Sequence, residues 1–239
     1  MNLSTFGVLT AAMLMVGCTD PALEKRLTAI EEQVAAIQKG GGGPAAVDPA
    51  AEKAAGELFK AATEAAEKLD FDTAKAKLKE LSTKHGGTRA ANASRRMSEE
   101  LAVVGRPEAD LQVEEWFKGG EADIEGGKAT LYVFWEVWCP HCKREVPKLS
   151  ATYDKYKTDG LKVVGLTKMS RDTTKEQVSQ FVADNNVSYP IARETGDAMS
   201  KHYGVKGVPA AAMVKDGKVV WRGHPARLSE DMITGFLGS

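Results

Sequence analysis

From about Pro107 onward, apolar residues fall into short runs separated by turn residues, a pattern that predicts alternating strands and helices. The run "ATLYVFWEV" is continuous and rich in β-branched and aromatic residues, as expected of a central strand buried on both faces. The elements predicted after it are helix "PHCKREVPKLSATYDKYK", strand "LKVVGLT", helix "TTKEQVSQFVADNN", the segment "YPIAR", a short helix near "GDAMSKHYG", the hairpin strands "AAAMVK" and "KVVWRG", and helix "SEDMITGFL". The resulting order, β-α-β-α-β-β-α, indicates an α/β fold with a mixed sheet over residues 106–239.

A different pattern occupies residues 49–105, which are rich in alanine, lysine and glutamate and predict a small all-α domain of three helices. Apolar positions recur at helical spacing in the first two helices, at Ala54, Leu58, Phe59, Ala62 and Ala65 and then at Ala76, Leu78 and Leu81. The second helix is expected to begin near Asp72 and to end at "HGG", and the third to run from Thr88 as N-cap to Gly105 as C-cap. The stretch resembles a tetratricopeptide-type helical hairpin of little more than one repeat, and the alternative is a helical bundle packed beside the α/β domain.

The N-terminal residues carry an export pattern. The uncharged run "FGVLTAAMLMV" has the length of a secretory signal segment and is too short to span a bilayer. The following "MVGC" resembles a bacterial lipobox, which implies that residues 1–17 are a lipoprotein signal peptide and that Cys18 is the lipidated first residue of the mature protein. The alternative is a stray cysteine after an ordinary signal peptide. We therefore expect a lipoprotein of the cell envelope that faces the periplasm, anchored to either the inner or the outer membrane.

Residues 18–39 have the apolar spacing of a short coiled coil. Intervals of four and three alternate along the seam, and isoleucine at d positions favours three or four strands; the seam residues are Leu23, Leu27, Ile30, Val34 and Ile37. Because the pattern lasts only about two heptads, a single amphipathic spacer helix is an equal alternative. The seam would join copies of the chain into a homo-oligomer through residues 23–37, and the glycine-rich residues 40–48 predict a flexible linker to the rest of the chain.

The balance of charged residues excludes one class of binding partner. The chain has 32 basic and 33 acidic residues and a net charge of −1, so it has no electrostatic footprint for nucleic acid, and no nucleic-acid partner is expected. Its apolar content of 43% is enough for a well-packed core. The candidate chemistry therefore rests on the remaining cysteines, Cys139 and Cys142, in the stretch "WCPHCKREVP".

Cys139 follows the predicted central strand directly, and Cys142 lies in the first turn of the next helix. A thiol there meets unpaired backbone N–H groups and the positive end of the helix, which both favour the thiolate that attacks disulfides. The second cysteine, one turn along, can then attack the mixed disulfide and release the product. This spacing suits reversible two-electron exchange.

Other uses of a C-x-x-C pair fail on particular residues. Haem attachment would need histidine where Lys143 stands. A structural zinc site needs four ligands, but the sequence has no second C-x-x-C and its four histidines are scattered. A purely structural disulfide that closes so small a loop would add little stability. We therefore predict a redox-active disulfide, with no metal and no other cofactor.

Two motifs carry a family resemblance: "FWEVWCPHCKREVP" and, seventy residues after Cys139, "YGVKGVPAAAMV". Residues from about 107 to 239 resemble thioredoxin-fold disulfide oxidoreductases of the TlpA/ResA-like exported group. The resemblance implies that Cys139 is the exposed nucleophile and Cys142 the resolving thiol. It also implies a cis bond between Val208 and Pro209, with the Val208 backbone pairing to an extended substrate beside the sulfurs. The implied partners are protein thiols and disulfides and a redox partner protein.

Two neighbours of the cysteine pair, Glu145 and Trp138, have two interpretations each, and a third position, Val133, departs from thioredoxin. Glu145, one turn after Cys142, stands where ResA-like proteins carry a functional glutamate that would tune the thiol pKa or relay a proton; the alternative is a solvated glutamate near a helix start. Trp138 is expected at the rim of the site, where it would cover the disulfide, or else simply packs there. Val133 stands where thioredoxin has a buried aspartate, so proton handling departs from thioredoxin.

Pro140 and His141 complicate the direction of the reaction. Together they resemble the dipeptide of DsbA-type oxidants, in which a cationic histidine beside the sulfur stabilises the thiolate; the alternative is a bystander on an exposed turn. The scaffold resembles reductants instead, so reduction, oxidation and isomerisation stay open. A competing class is an adaptor lipoprotein in which the thioredoxin fold only docks a partner. A peroxidase on this fold is disfavoured, because peroxidatic sites of that group do not use such a C-x-x-C.

Overall fold

The computed structural model describes residues 48–238 together with Lys25, Arg26, Thr28, Ala29 and Glu31, and these five residues are helical and exposed. By its contacts the chain divides into residues 1–47 and residues 48–239. The predicted lipidation site Cys18, the five seam residues and the glycine-rich linker lie outside the described residues. Among the residues that are described, no helix combines the length and the apolar character needed to cross a bilayer.

Three helices open the second unit: α1 (Pro49–Glu67), α2 (Phe71–His85) and α3 (Arg89–Leu101). Each begins at a side chain whose oxygen accepts a backbone N–H of the first turn at 3.0–3.1 Å, namely Asp48, Asp70 and Thr88. The three helices share an alanine- and leucine-rich core of their own. The predicted N-cap at Thr88 is confirmed.

Two details of the predicted helices are wrong. Ala76 is exposed, and Ala74 is buried instead, because Ala74 lies one turn before Leu78 on the buried face of the helix and Ala76 does not. Helix α3 ends at Leu101 rather than at Gly105. The chain leaves the helix early so that Val103 can enter the core beneath the sheet, where it is 2% exposed.

The sheet has six strands in the order β1-β4-β3-β2-β5-β6. The strands are β1 (Val113–Lys118), β2 (Ala129–Phe134), β3 (Leu161–Thr167), β4 (Ile191–Glu194), β5 (Ala210–Lys215) and β6 (Lys218–Gly223). The helices that alternate with them are α4 (Pro140–Tyr156), α5 (Lys175–Asp184), α6 (Ala198–His202) and α7 (Glu230–Gly238). Strand β2 is central, parallel to β3 and antiparallel to β5, so the predicted mixed sheet is confirmed.

The predicted element order lacks two strands of the sheet. Strand β1 lies at one edge, antiparallel to β4, and its side chains are only half-buried, so its sequence has no continuous apolar run. The segment "YPIAR", which that order did not count as a strand, supplies β4. Two register irregularities interrupt the pairing of β1 with β4.

Both faces of the sheet are covered, which explains the continuous apolar run of β2. Leu131 and Val133 point to the face packed by α4, α5 and α7, and Tyr132 and Phe134 point to the face packed by α6 and Val103. Successive side chains of a strand alternate between faces, so every position of β2 meets a core.

The helical segment continues directly into the edge of the sheet beside β6. The N–H of Gly105 donates to the Val219 carbonyl at 2.8 Å, and the N–H of Val219 donates to the Arg106 carbonyl at 2.9 Å. The carboxylate of Glu100, at the end of α3, is bonded to Arg227 just beyond β6. The division predicted between residues 105 and 106 falls within this hydrogen-bonded connection.

Candidate active site

Cys139 is the N-cap of α4 and lies five residues after Phe134, the last residue of β2. Its Sγ accepts the backbone N–H of Cys142 at 3.5 Å and donates to the Val208 carbonyl at 3.6 Å. The peptide bond between Val208 and Pro209 is cis, and Pro209 immediately precedes β5. The structure thus brings together the two motifs that lie seventy residues apart in the sequence.

Neither thiol is well exposed. Cys139 retains 4% of its surface and Cys142 retains none, and the two sulfurs are not bonded to each other. The expectation of an exposed nucleophile is therefore wrong in degree, because the Val208 loop closes over Cys139. Burial raises the pKa of the Cys142 thiol well above its usual range; the hydrogen bond with Cys139 and the charge of Glu136 raise it further, against a backbone hydrogen bond from Glu136 that lowers it.

The two polar neighbours predicted from the sequence, His141 and Glu145, form hydrogen bonds with residues of their own helix. Nδ1 of the exposed His141 lies 2.6 Å from a guanidinium nitrogen of Arg144. Since arginine can only donate, Nδ1 is the acceptor in this contact. Glu145 is half-buried and accepts from Lys148 at 3.2 Å. Pro140, at the first position of α4, is exposed and donates no N–H, as that position allows.

Trp138 is held beside the cysteine pair from the side of β3. Its indole Nε1–H donates to Oγ of Ser170 at 3.1 Å, and the guanidinium carbon of Arg171 lies 3.6 Å from the centroid of its ring. Trp138 is half-buried, so it forms part of the surface around Cys139. The neighbouring Trp135 is 1% exposed and belongs to the core.

Glu136 is a residue of this site that sequence reasoning missed. It is 4% exposed, and its carboxylate accepts from the hydroxyl of Thr167 and from the backbone N–H groups of Lys168 and Ser170 at 3.2–3.4 Å. Its own carbonyl accepts the N–H of Cys139 at 3.1 Å. An acidic residue inside the otherwise apolar run "YVFWEVW" was the available signal, since a buried carboxylate needs partners from elsewhere.

A groove of about 230 Å³ lies beside Cys139, between Trp138, which precedes Cys139 in the chain, and Val208, which accepts the hydrogen bond of the Cys139 thiol. Trp138, Lys168 and Ser170 line one side, and Lys206 and Val208 line the other. Within the part of the chain that the structure describes, no cluster of three or more histidine, cysteine or acidic side chains is arranged to hold a metal ion.

A cysteine pair at the start of the helix after the central strand, beside a cis-proline that precedes an antiparallel strand, is the arrangement of a thioredoxin-fold thiol–disulfide oxidoreductase. The sequence profile of the AhpC/TSA family matches residues 107–222. With 30% identity over 70% of a ResA protein, the chain belongs to the family of the ResA thiol–disulfide oxidoreductases. The resemblance expected from the two motifs is thereby confirmed.

Individual relatives show how far the likeness extends. The chain is 30% identical over 125 residues to the thiol–disulfide oxidoreductase ResA of Bacillus thuringiensis subsp. konkukian (strain 97-27), which covers 51% of this chain and 70% of that protein. It is 27% identical over 90 residues to the sporulation thiol–disulfide oxidoreductase A of Bacillus subtilis (strain 168), covering 38% and 54%. The solution structure of a thioredoxin-like protein in the oxidized form is similar with a TM-score of 0.49 at 26% identity, covering 56% of this chain and 96% of that one.

Proposed function

We propose that the protein is a lipid-anchored oxidoreductase of the cell envelope that reduces disulfides in client proteins by cycling a Cys139–Cys142 disulfide. The observation that carries the proposal is the position of the Cys139 sulfur. It lies at the start of α4 and 3.6 Å from the carbonyl oxygen of Val208. A client segment that pairs with the Val208 backbone brings its own disulfide to this sulfur.

The exchange proceeds in two displacements. The Cys139 thiolate attacks one sulfur of the client disulfide; that S–S bond breaks, a mixed disulfide forms, and the other client sulfur leaves as a thiolate that takes up a proton. Cys142 then gives its proton to water and attacks the Cys139 sulfur, which releases the second client thiolate to be protonated in turn. Two electrons pass to the client, and the new Cys139–Cys142 disulfide needs a dithiol partner protein for its reduction.

The environment of the sulfurs favours reduction over oxidation. Strong oxidants of this fold owe their high potential to a stabilised reduced form, chiefly a stabilised thiolate. Here the charged form of Cys142 is disfavoured by burial, and the hydrogen bond of His141 goes to Arg144 rather than to a sulfur. Cys142 therefore adds no stabilised thiolate to the reduced form, which favours a disulfide that is hard to reduce.

Equilibration of the purified protein with glutathione tests this assignment. We expect a two-electron potential nearer to about −270 mV than to about −120 mV, because the former is typical of reducing and the latter of strongly oxidising members of the fold. The ratio of dithiol to disulfide is read from mass shifts after alkylation. A value near the oxidising end overturns the direction, and failure of the pair to exchange with glutathione at all overturns the function.

The proposed anchor rests on the apolar run that ends in "MVGC". We expect the wild-type protein to partition into the detergent phase of an envelope extract, and Cys18→Ser to block processing or to release the protein into the aqueous phase. Partitioning on phase separation, with the N-terminal mass of the purified chain, is the measurement. An unmodified wild-type chain whose mature N terminus lies beyond residue 18 contradicts the anchor. Association through residues 23–37 would place several such redox domains on one membrane-attached stalk.

A further inference from the structure

The segment after β3 bends sharply beside the cysteine pair. Three of its residues, none of them glycine, have left-handed backbone conformations: Met169 (φ 58°), Arg171 (φ 57°) and Asp172 (φ 56°). Side chains with a Cβ adopt this conformation at an energetic cost, so a run of them persists only where the surroundings hold the chain.

The carboxylate of Glu136 stabilises this segment by hydrogen bonds. Its carboxylate receives the N–H groups of Lys168 and Ser170, on either side of Met169, and the hydroxyl of Thr167. The Thr167 hydroxyl oxygen in turn accepts the N–H of Met169 at 3.1 Å. Burial raises the pKa of Glu136, and the N–H donors from Lys168 and Ser170 oppose that rise. The carboxylate is thus kept buried by donors from one short segment.

The segment from Lys168 to Arg171 contacts Trp138, which lies at the surface of the active site. Ser170 accepts the indole N–H, and Arg171 stacks on the indole ring. Trp138 and Ser170 are also one wall of the groove beside Cys139, and Val208 belongs to the opposite wall. The position of this wall therefore depends on Glu136, which also lines the groove itself.

We propose that Glu136 is a positioning residue for client binding: through the segment from Lys168 to Arg171 it fixes Trp138 as one wall of a subsite for the client segment next to the reactive cysteine. The groove is lined by the apolar residues Phe134, Leu166 and Val205 together with the polar residues Glu194 and Ser200, and its volume is below that of typical small-molecule pockets. It therefore suits a single side chain of an extended polypeptide. This inference rests on the proposed function of the cysteine pair.

Two substitutions separate the hydrogen-bonding role of Glu136 from its charge. In Glu136→Gln the amide oxygen can still accept from Lys168 and Ser170, and the amide N–H₂ can donate to the Thr167 hydroxyl. In Glu136→Ala the segment loses all of these acceptors. We expect Glu136→Ala to raise KM for a peptide disulfide about tenfold more than for a small aromatic disulfide, because only the peptide extends along the wall. For Glu136→Gln, the ratio of KM for the peptide disulfide to KM for the aromatic disulfide should stay within about twofold of the wild-type ratio.

A spectroscopic readout follows the wall itself. Acrylamide quenching of tryptophan fluorescence, with Trp138→Phe subtracted, should show Trp138 more accessible in Glu136→Ala and unchanged in Glu136→Gln. Ser170→Ala, which removes only the acceptor for the indole, should reproduce part of the quenching. The matched control is Glu100→Ala, since Glu100 is 5% exposed but is bonded to Arg96 and Arg227, away from the cysteine pair.

The possible outcomes distinguish the positioning role of Glu136 from the proposed function of the cysteine pair. Equal losses in Glu136→Gln and Glu136→Ala, with a shifted pH profile for both substrates, would show that the carboxylate acts through its proton and would overturn the positioning role. An unchanged KM ratio and quenching in Glu136→Ala would overturn it as well. A wild-type protein that exchanges with neither substrate would instead refute the proposed function.

Discussion

Cys139→Ser is expected to reduce insulin-type disulfides no faster than the uncatalysed background, because it lacks the nucleophile: of the two cysteines that the structure describes, Cys139 keeps 4% of its surface exposed and Cys142 none. Cys142→Ala should behave differently: attack proceeds, release does not, and mixed disulfides with clients accumulate. Turbidity of reduced insulin and non-reducing electrophoresis measure the two effects. If alkylation mapped by mass spectrometry found Cys142 to react faster than Cys139, the assignment of roles would be reversed.

The raised pKa of Cys142 adds a pH dependence to this result. Below its pKa, the thiolate fraction of a thiol grows about tenfold for each unit of pH. Release of the mixed disulfide by Cys142 should therefore accelerate as pH rises from 6 to 9 in the wild type, and the Cys142→Ala adduct should persist across the whole range. A wild-type release rate that is independent of pH would mean that another group takes up the Cys142 proton.

Arg222→Ala is expected to lower the free energy of unfolding by about 3 to 5 kcal/mol, because several buried carbonyls lose their donors at about 1 to 3 kcal/mol each. Arg222 is 5% exposed, and its guanidinium donates to the carbonyls of Tyr203, Gly204, Ala211 and Gly223 at 2.9–3.5 Å. Burial lowers its pKa to about 10, which leaves it charged at neutral pH. It thus joins the chain after α6 to β5 and β6.

Denaturant unfolding measures this effect, with two comparisons. Arg222→Lys keeps the charge but presents a single nitrogen, so it should fall between the wild type and Arg222→Ala. Arg193→Ala, which removes an exposed pair with Glu114 at 3.4 Å, should change the free energy of unfolding by less than about 1 kcal/mol. An Arg222→Ala protein as stable as Arg193→Ala would show that water satisfies those carbonyls.

The sequence predicts those elements best that are buried on both faces or bounded by a tight turn. Strands β3, β5 and β6 coincide with the predicted "LKVVGLT", "AAAMVK" and "KVVWRG", since their apolar runs end where the packing ends. Strand β1 escaped prediction because an edge strand with half-buried side chains carries a weak pattern. The strand that β1 pairs with, β4, is distant in the sequence, so no local pattern reveals the pairing.

In the candidate site, too, some residues were predictable from the sequence and others were not. Cys139, Cys142 and Pro209 were identifiable because their motifs are short and local, and their meeting follows from the family resemblance. The surroundings were not, because the partners of Glu136 lie on a loop far along the chain and no local pattern links them. His141 and Glu145 were placed beside the sulfurs by adjacency in sequence, whereas their hydrogen bonds to Arg144 and Lys148 are set by helix geometry at a spacing of three residues.

The irregular pairing of β1 has a consequence for a protein that meets unfolded clients. A free, regular sheet edge is a template on which another chain adds a strand, and it invites aggregation. Here the edge is broken at two points, between Val113 and Glu115 and between Trp116 and Lys118, and acidic side chains along it are paired with Lys175 and Arg193. The opposite edge, at β6, is occupied by the connection from α3. Neither edge of the sheet is therefore both regular and free for strand addition, which favours the proposed pairing of an extended client with the Val208 backbone beside Cys139.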